Sequence, residues 1–197
     1  MTGELWVEQL EGALAALGEI LAAGGNRLAI VVVGGATMNL LGIIRRSTSD
    51  IDVIARAHRD ETGALRIVPP EPFPPELSQA IRTVARDLGL ADEWMNAVVG
   101  AQWALGLPPD MTEDITWRNY GGGLDVGLVG RRTLIALKLF AAADGAPGSV
   151  HAQDLVALQP TPAELASAVE WVLTQDEAPE WTSLVEEVCK HVERSCS

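Results

Sequence analysis

The residues best suited to chemistry lie in one stretch, IVVVGGATMNLLGIIRRSTSDIDVIA, Ile30 to Ala55. Asp50 and Asp52 are separated by one residue, so on a strand both carboxylates point to the same face, with Cα atoms roughly 6.5 to 7 Å apart. Two like charges on one face repel unless a cation or basic partner offsets them, while Ile51 and Val53 can pack on the other face. Such a pair suits a divalent metal; the alternative is a solvated strand edge. Upstream, Gly34-Gly35 interrupts an apolar run. A strand that turns into a helix at this point presents backbone N–H groups at the positive helix end, and the missing side chains let a phosphate approach. The same two glycines equally serve a purely structural turn. A dinucleotide-binding reading fails, because GGATMN lacks the G-x-G-x-x-G spacing and a ribose contact needs one acid where two are offered.

The surrounding pattern supplies the elements that must hold these groups. Leu5, Leu10, Leu14, Leu17 and Leu21 recur at helical spacing and predict a helix over Leu5 to Ala23, closed by Gly24-Gly25. Leu28 to Val33 reads as a buried strand and Ala36 to Ile43 as a short helix. Asp50 to Ala55 alternates polar and apolar residues and reads as a second strand, with Ala64 to Val68 a third across a polar loop. Pro69 to Pro75 is a surface connection whose last proline begins a helix over Glu76 to Leu88. Asp92 to Leu105 is expected to be helical, and strands are expected at Ile115 to Trp117 and Leu124 to Leu128. The remainder reads as helices over Arg131 to Ala143, Val150 to Leu158, Thr161 to Thr174 and Trp181 to Ser195, with a capping box at Thr161-Pro162-Ala163-Glu164. The prediction is an α/β (α+β) chain forming one domain over 1–197, with a small mixed β-sheet core in 1–130 and a helical C-terminal part in 131–197.

Charge narrows the partners. With 14 basic against 27 acidic residues the formal charge is -13, which disfavours a broad nucleic-acid face that needs clustered Lys and Arg. Adjacent basic pairs occur at Arg45-Arg46 and Arg131-Arg132, so an anion is expected to be held locally. Leu28 to Ile44 is uncharged and, at about 17 residues, just reaches the lower limit for a membrane span, but its central Gly-Gly fits a strand-to-helix turn better. No membrane association is expected. The N-terminal residues carry no leader pattern and the two cysteines, Cys189 and Cys196, fall late, which suits a reducing cytoplasm.

In order and spacing, GGATMNLLGIIRRSTSDIDV resembles the signature of the DNA polymerase β-type nucleotidyltransferase superfamily, a Gly-Gly turn followed by R-x-T-x-D-I-D. It looks most like the bacterial abortive-infection (AbiEii-like) nucleotidyltransferases and their small relatives. The resemblance implies a nucleotidyltransferase core in which Gly34 and Gly35 take the phosphate-turn role, Arg46 and Thr48 fill the basic and hydroxyl positions, and Asp50 and Asp52 hold Mg²⁺ or Mn²⁺. Downstream, RRTLIALKLFAAADGAPGSVHAQDLVALQPT is similar to the helical region of these relatives, which implies that Lys138 and Asp154 complete the site. Lys138 sits between Leu137 and Leu139, so its ammonium must snorkel to water or meet an anion, for which a triphosphate qualifies. A third carboxylate is usual in polymerase β-like enzymes. Asp125 is its positional candidate, against the alternative of a surface residue, and Asp144 or Asp154 could serve from the helical side.

The expected activity is metal-dependent transfer of NMP from an NTP to an acceptor hydroxyl on RNA, a protein or a small molecule, in a toxin-antitoxin or phage-defence setting. The competing expectation is a weak or inactive binding module of the same fold, acting as a regulatory or antitoxin-like protein partner. Cys189, His191 and Cys196 offer only three ligands without a paired C-x₂-C element, which argues against structural zinc. His151 shares a helical face with Asp154 but is not favoured as a site residue, and the dispersed tryptophans read as core or rim.

Overall fold

The computed structural model describes residues 4–145 and 148–196. The leucine pattern near the N-terminus forms helix α1 (Val7–Ala23), which buries Leu10, Leu14, Leu17 and Leu21. Leu5 falls outside the helix: its N–H and carbonyl both bond to the backbone of Thr48, at 2.7 and 3.0 Å. Strand β1 (Leu28–Val33) leads directly into helix α2 (Gly34–Leu40), followed by the loop to β2 (Ile51–Arg59) and its hairpin partner β3 (Leu65–Val68). Helix α3 (Pro75–Leu88) precedes a short strand β4 (Met95–Asn96), a 3₁₀ turn (Val98–Ala101) and helix α4 (Gln102–Leu105). The hairpin β5 (Ile115–Tyr120) and β6 (Leu124–Val129) completes a six-stranded sheet in the order β3-β2-β1-β6-β5, with β4 added beside β2. The β1–β6 and β2–β4 pairs are parallel, the others antiparallel. The fold is mixed α/β.

Burial alternates along the central strands as the strand period demands. Ile30 and Val32 of β1, Ile51 and Val53 of β2, and Leu124, Val126 and Leu128 of β6 face α1 and α3, and their side chains make up one core. The helix approaches the β5–β6 turn so closely that a side chain at Gly18 would collide with the Tyr120 carbonyl, which fixes α1 against the end of the sheet.

The segment expected to be one helix, Asp92 to Leu105, is instead β4, the 3₁₀ turn and the four-residue α4. Trp94 decides this. It is fully buried, its indole N–H donates to the Ile81 carbonyl at 3.1 Å, and its own carbonyl accepts from Ile51 N–H at 2.8 Å. Strand pairing beside β2 thus satisfies backbone groups that a helix would have satisfied internally, and it buries a large aromatic.

Backbone packing divides the chain into two compact units, Met1–Ala104 with Ile115–Val129, and Leu105–Asp114 with Gly130–Ser197. The second unit takes Leu105–Asp114 together with the C-terminal helices. It is built on α5 (Arg131–Asp144), against which α6 (Val150–Leu158), α7 (Pro162–Val172) and α8 (Pro179–Cys196) pack. Phe140 of α5 meets the rings of Trp171 and Trp181 at centroid distances of 6.1 and 5.5 Å. The capping box forms: Thr161 Oγ1 accepts from Glu164 N–H at 3.2 Å, and Glu164 accepts from Thr161 N–H at 2.8 Å. Among the described residues no helix is long and apolar enough to cross a membrane.

Candidate functional site

Asp52 stands opposite Val33 in the β1–β2 ladder, one residue before the Gly34 turn. Gly34 has a φ of +75°, a left-handed conformation that side chains disfavour, and a Cβ there would lie 2.5 Å from Asp52 Oδ2. The glycine is thus required twice, for its backbone angle and for the carboxylate seated against it. Gly35 is covered differently: a Cβ at that position would meet Thr48 Oγ1 at 3.1 Å and Arg46 Nη2 at 3.3 Å. The structure therefore brings Gly34, Gly35, Arg46, Thr48 and Asp52 into one small volume at the end of β1.

The loop between α2 and β2 holds these groups by named bonds. Asn39 donates to the Gly35 carbonyl at 3.0 Å and accepts from Arg46 N–H at 3.3 Å, tying the helix to the loop. Arg46 Nη1 donates to the Ser47 carbonyl at 3.1 Å. Thr48 is buried, its hydroxyl donates to the Asp50 carbonyl at 3.3 Å, and its backbone is clamped by Leu5. Its hydroxyl therefore shapes the chain before Asp50. Asp50 lies just ahead of β2, half-buried like Asp52, while Ile51 and Val53 are fully buried on the opposite face.

Asn96, which the sequence reading passed over, belongs to the site. Its backbone pairs with Asp52 across β4–β2 and its side chain donates to Asp50 Oδ2 at 3.2 Å, so one residue stands beside both aspartate positions. Its carbonyl oxygen also accepts from Val98 N–H at 3.0 Å, which orients the amide. Nothing in its local sequence marked it, because the segment read as helix. Ser49 donates to Asp50 Oδ1 at 3.2 Å.

These donors fit a hard divalent cation. Two adjacent carboxylates supply oxygen ligands, the space beside Asp52 is one that any side chain at Gly34 would fill, and Mg²⁺ needs few protein ligands because it keeps much of its water. Among the described residues no group of three or more His, Cys, Asp or Glu is placed to hold a metal ion.

Asp125 is not brought to this pair, which corrects its expected place as third carboxylate. It faces the same side of the sheet but pairs with Ala29, four residues before Val33, which puts it about 13 Å down the strand. There it accepts from Asn119 at 2.8 Å and from Arg27 at 3.1 Å. Burial pushes its carboxyl up, but the hydrogen bonds from Asn119 and Arg27 outweigh that and leave it below the usual value. The β6 residue one step beyond the Val32–Leu128 pair, level with Asp52, is the fully buried Val129.

Lys138 and Asp154 lie in the helical unit and meet each other. The ammonium and carboxylate are 2.7 Å apart, with side chains 6% and 2% exposed. Lys138 does not snorkel to water; its anion is Asp154. Asp144, at the end of α5, is exposed.

Residues 8–65 match the family described as "Nucleotidyltransferase of unknown function (DUF6036)". No curated protein matches the chain. Among solved structures, the crystal structure of an antigenic nucleotidyltransferase-like protein from Paracoccidioides brasiliensis is similar at 15% identity and a TM-score of 0.46, covering 93% of this chain and 95% of that one. The nucleotidyltransferase match runs from α1 to the start of β3, and it therefore contains Gly34, Gly35, Arg46, Thr48, Asp50 and Asp52 while leaving Asn96, Asp125, Lys138 and Asp154 outside.

Proposed function

We propose that the protein is a metal-dependent nucleotidyltransferase that moves NMP from an NTP to an acceptor hydroxyl on RNA, a protein or a small molecule. The observation that carries this reading is the seating of Asp52 against the Gly34 turn, with Asp50 held beside it through Asn96. Asp50 and Asp52 are the residues to hold Mg²⁺ or Mn²⁺. When bound, such a cation orients the phosphates and neutralises charge that develops on them.

The chain's own residues do the rest. Gly34 and Gly35, the phosphate-turn positions by resemblance, admit the Asp52 carboxylate beside the first glycine and the Arg46 guanidinium beside the second, which sets a metal-holding group and a cation at the turn for a phosphate. Thr48 and Asn39 hold that arginine's loop in place. In the reaction the acceptor hydroxyl gives up its proton to solvent as its oxygen forms a bond to the α-phosphorus, while the bond from that phosphorus to the bridging oxygen breaks, releasing pyrophosphate. The reading assigns no phosphate contact to Lys138, whose charge is matched by Asp154. A toxin-antitoxin or phage-defence setting follows from the resemblance to AbiEii-like enzymes.

One observation favours a second reading, a catalytically weak module that binds nucleotide and acts on a protein partner. Asp125 is engaged by Arg27 and Asn119 at the far end of β1, and Val129 occupies the β6 position level with Asp52. Two-metal chemistry uses more carboxylate than the sheet supplies here.

Incubation with each α-labelled NTP, Mg²⁺ and cell extract separates the two. The enzyme reading expects a labelled acceptor that disappears with Asp52→Asn and persists with Asp125→Asn. Mg²⁺-dependent NTP binding without labelling supports the module. If neither labelling nor NTP binding occurs, both readings fall.

A further inference from the structure

The far end of the same sheet face holds a second cleft. The register aligns Ile67, Ala57, Ala29, Asp125 and Asn119 in a row across β3, β2, β1, β6 and β5. Two alanines at the centre of that row leave a depression in the sheet. One row along, Trp117 stands opposite Gly127, and its indole covers the bare glycine, within 2.9 Å of where a Cβ would be. Trp117 thus lies on the sheet as one wall. Leu65 and Arg59, paired on β3 and β2, form the opposite wall, with Arg27 and His58 at the rim. The cleft has a volume of about 480 Å³, inside the range of small-molecule sites.

Charge identifies the occupant. The chain carries a net -13, yet this rim sets Arg27 and Arg59 against the single carboxylate of Asp125, which Arg27 neutralises and Asn119 hydrogen-bonds. Arg27 is held by Asp125 at 3.1 Å with its side chain 71% exposed, and Arg59 is held by the Gly63 carbonyl at 2.8 Å, so both guanidiniums are fixed at one end while donors remain for a ligand. An aromatic wall, an apolar floor and a cationic rim suit a flat ring that carries a negative group.

We infer that this cleft is a second binding site, for a small aromatic anion of nucleotide size whose ring stacks on Trp117 and whose phosphate is held by Arg59 and Arg27. It is distinct from the Gly34–Asp52 site: Ala29 and Val33, the residue opposite Asp52, are four residues apart on β1, about 13 Å. The inference does not depend on the activity proposed for that site.

The experiment is calorimetric titration of the full chain with AMP, without divalent metal, beside ribose 5-phosphate as the ringless control. AMP is expected to bind, and ribose 5-phosphate to bind at least about fivefold more weakly, since stacking one base is worth about 1–3 kcal/mol. Arg59→Gln and Trp117→Ala are each expected to weaken AMP about fivefold or more. Asp52→Asn is expected to leave it within twofold. Arg59 is exposed, so its variant tests the site even if Trp117→Ala disturbs the sheet, and circular dichroism establishes folding for each. Four results overturn the inference: no AMP binding; equal binding of ribose 5-phosphate; binding unchanged by Arg59→Gln; or binding lost in Asp52→Asn, which would place AMP at the Gly34 turn.

Discussion

Removing the ammonium of Lys138 is the perturbation whose size the structure fixes most directly. Lys138 Nζ and Asp154 Oδ2 are 2.7 Å apart and both side chains are almost fully enclosed, at 6% and 2% exposure. In Lys138→Met the side-chain length and apolar stem are kept, and a carboxylate is left buried without its ammonium. Breaking one half of a buried pair costs about 3–5 kcal/mol, a change of about a hundredfold to several thousandfold in the folded-to-unfolded ratio. With a urea dependence of about 1–3 kcal/mol per molar, the unfolding midpoint moves down by about 1–5 M. Replacing both partners, Lys138→Met with Asp154→Val, removes the buried carboxylate as well and is expected to recover stability to within about 1 kcal/mol of wild type. The assay is equilibrium urea unfolding followed by circular dichroism, without nucleotide. A loss below about 1 kcal/mol in Lys138→Met, or a double variant no better than the single one, would refute the assignment of this pair to the core of the helical unit. Running the same curves with Mg²⁺-NTP separates packing from binding, because a lysine needed only for phosphate would show its effect only when nucleotide is present.

Other expectations follow from single contacts. Gly34→Ala forces a side chain into a left-handed backbone, costing about 1–2 kcal/mol, and displaces the Asp52 carboxylate, so calorimetry should show both a lower melting temperature and loss of Mg²⁺-NTP binding. Glu164 is held at about 2 by its hydrogen bond from Arg131, against desolvation and helped by Thr161. Its folded value lies below its unfolded one, so its contribution is present above the unfolded carboxylate range and is lost as pH falls from about 4.5 through about 2. Glu164→Gln should flatten that part of an acid-unfolding curve and cost about 1 kcal/mol at neutral pH. Burial, with Glu193 and Glu186 nearby, pushes the Cys189 thiol up to about 11, whereas Cys196 is exposed. Iodoacetamide near neutral pH should therefore alkylate Cys196 rapidly and Cys189 slowly, as read by peptide mass spectrometry.

The local code for the Gly34–Asp52 site was legible because it rests on short-range geometry. Alternation placed Ile51 and Val53 in the core and left Asp50 and Asp52 on the other face. The bare Gly34 marked a turn that nothing else can make. Helices α3, α5, α6, α7 and α8 followed from periodicity, proline placement and the Thr161–Glu164 box, all of which act within a few residues. Asp92 to Leu105 was misread because its helical look was local, while Trp94 gained more by burial beside α3 and by strand pairing with β2.

The sequence by itself determined which residues can bear charge at a phosphate turn and which faces of the central strands are apolar, since both depend on side-chain type and a period of two. Tertiary structure alone decided the partners. Sheet register set Asn96 beside Asp52 and carried Asp125 four residues down the strand, and helix packing joined Lys138 to Asp154 across the α5–α6 contact. Register and helix packing are set by how distant segments share one core, and a one-dimensional pattern holds no record of which strand lies level with which.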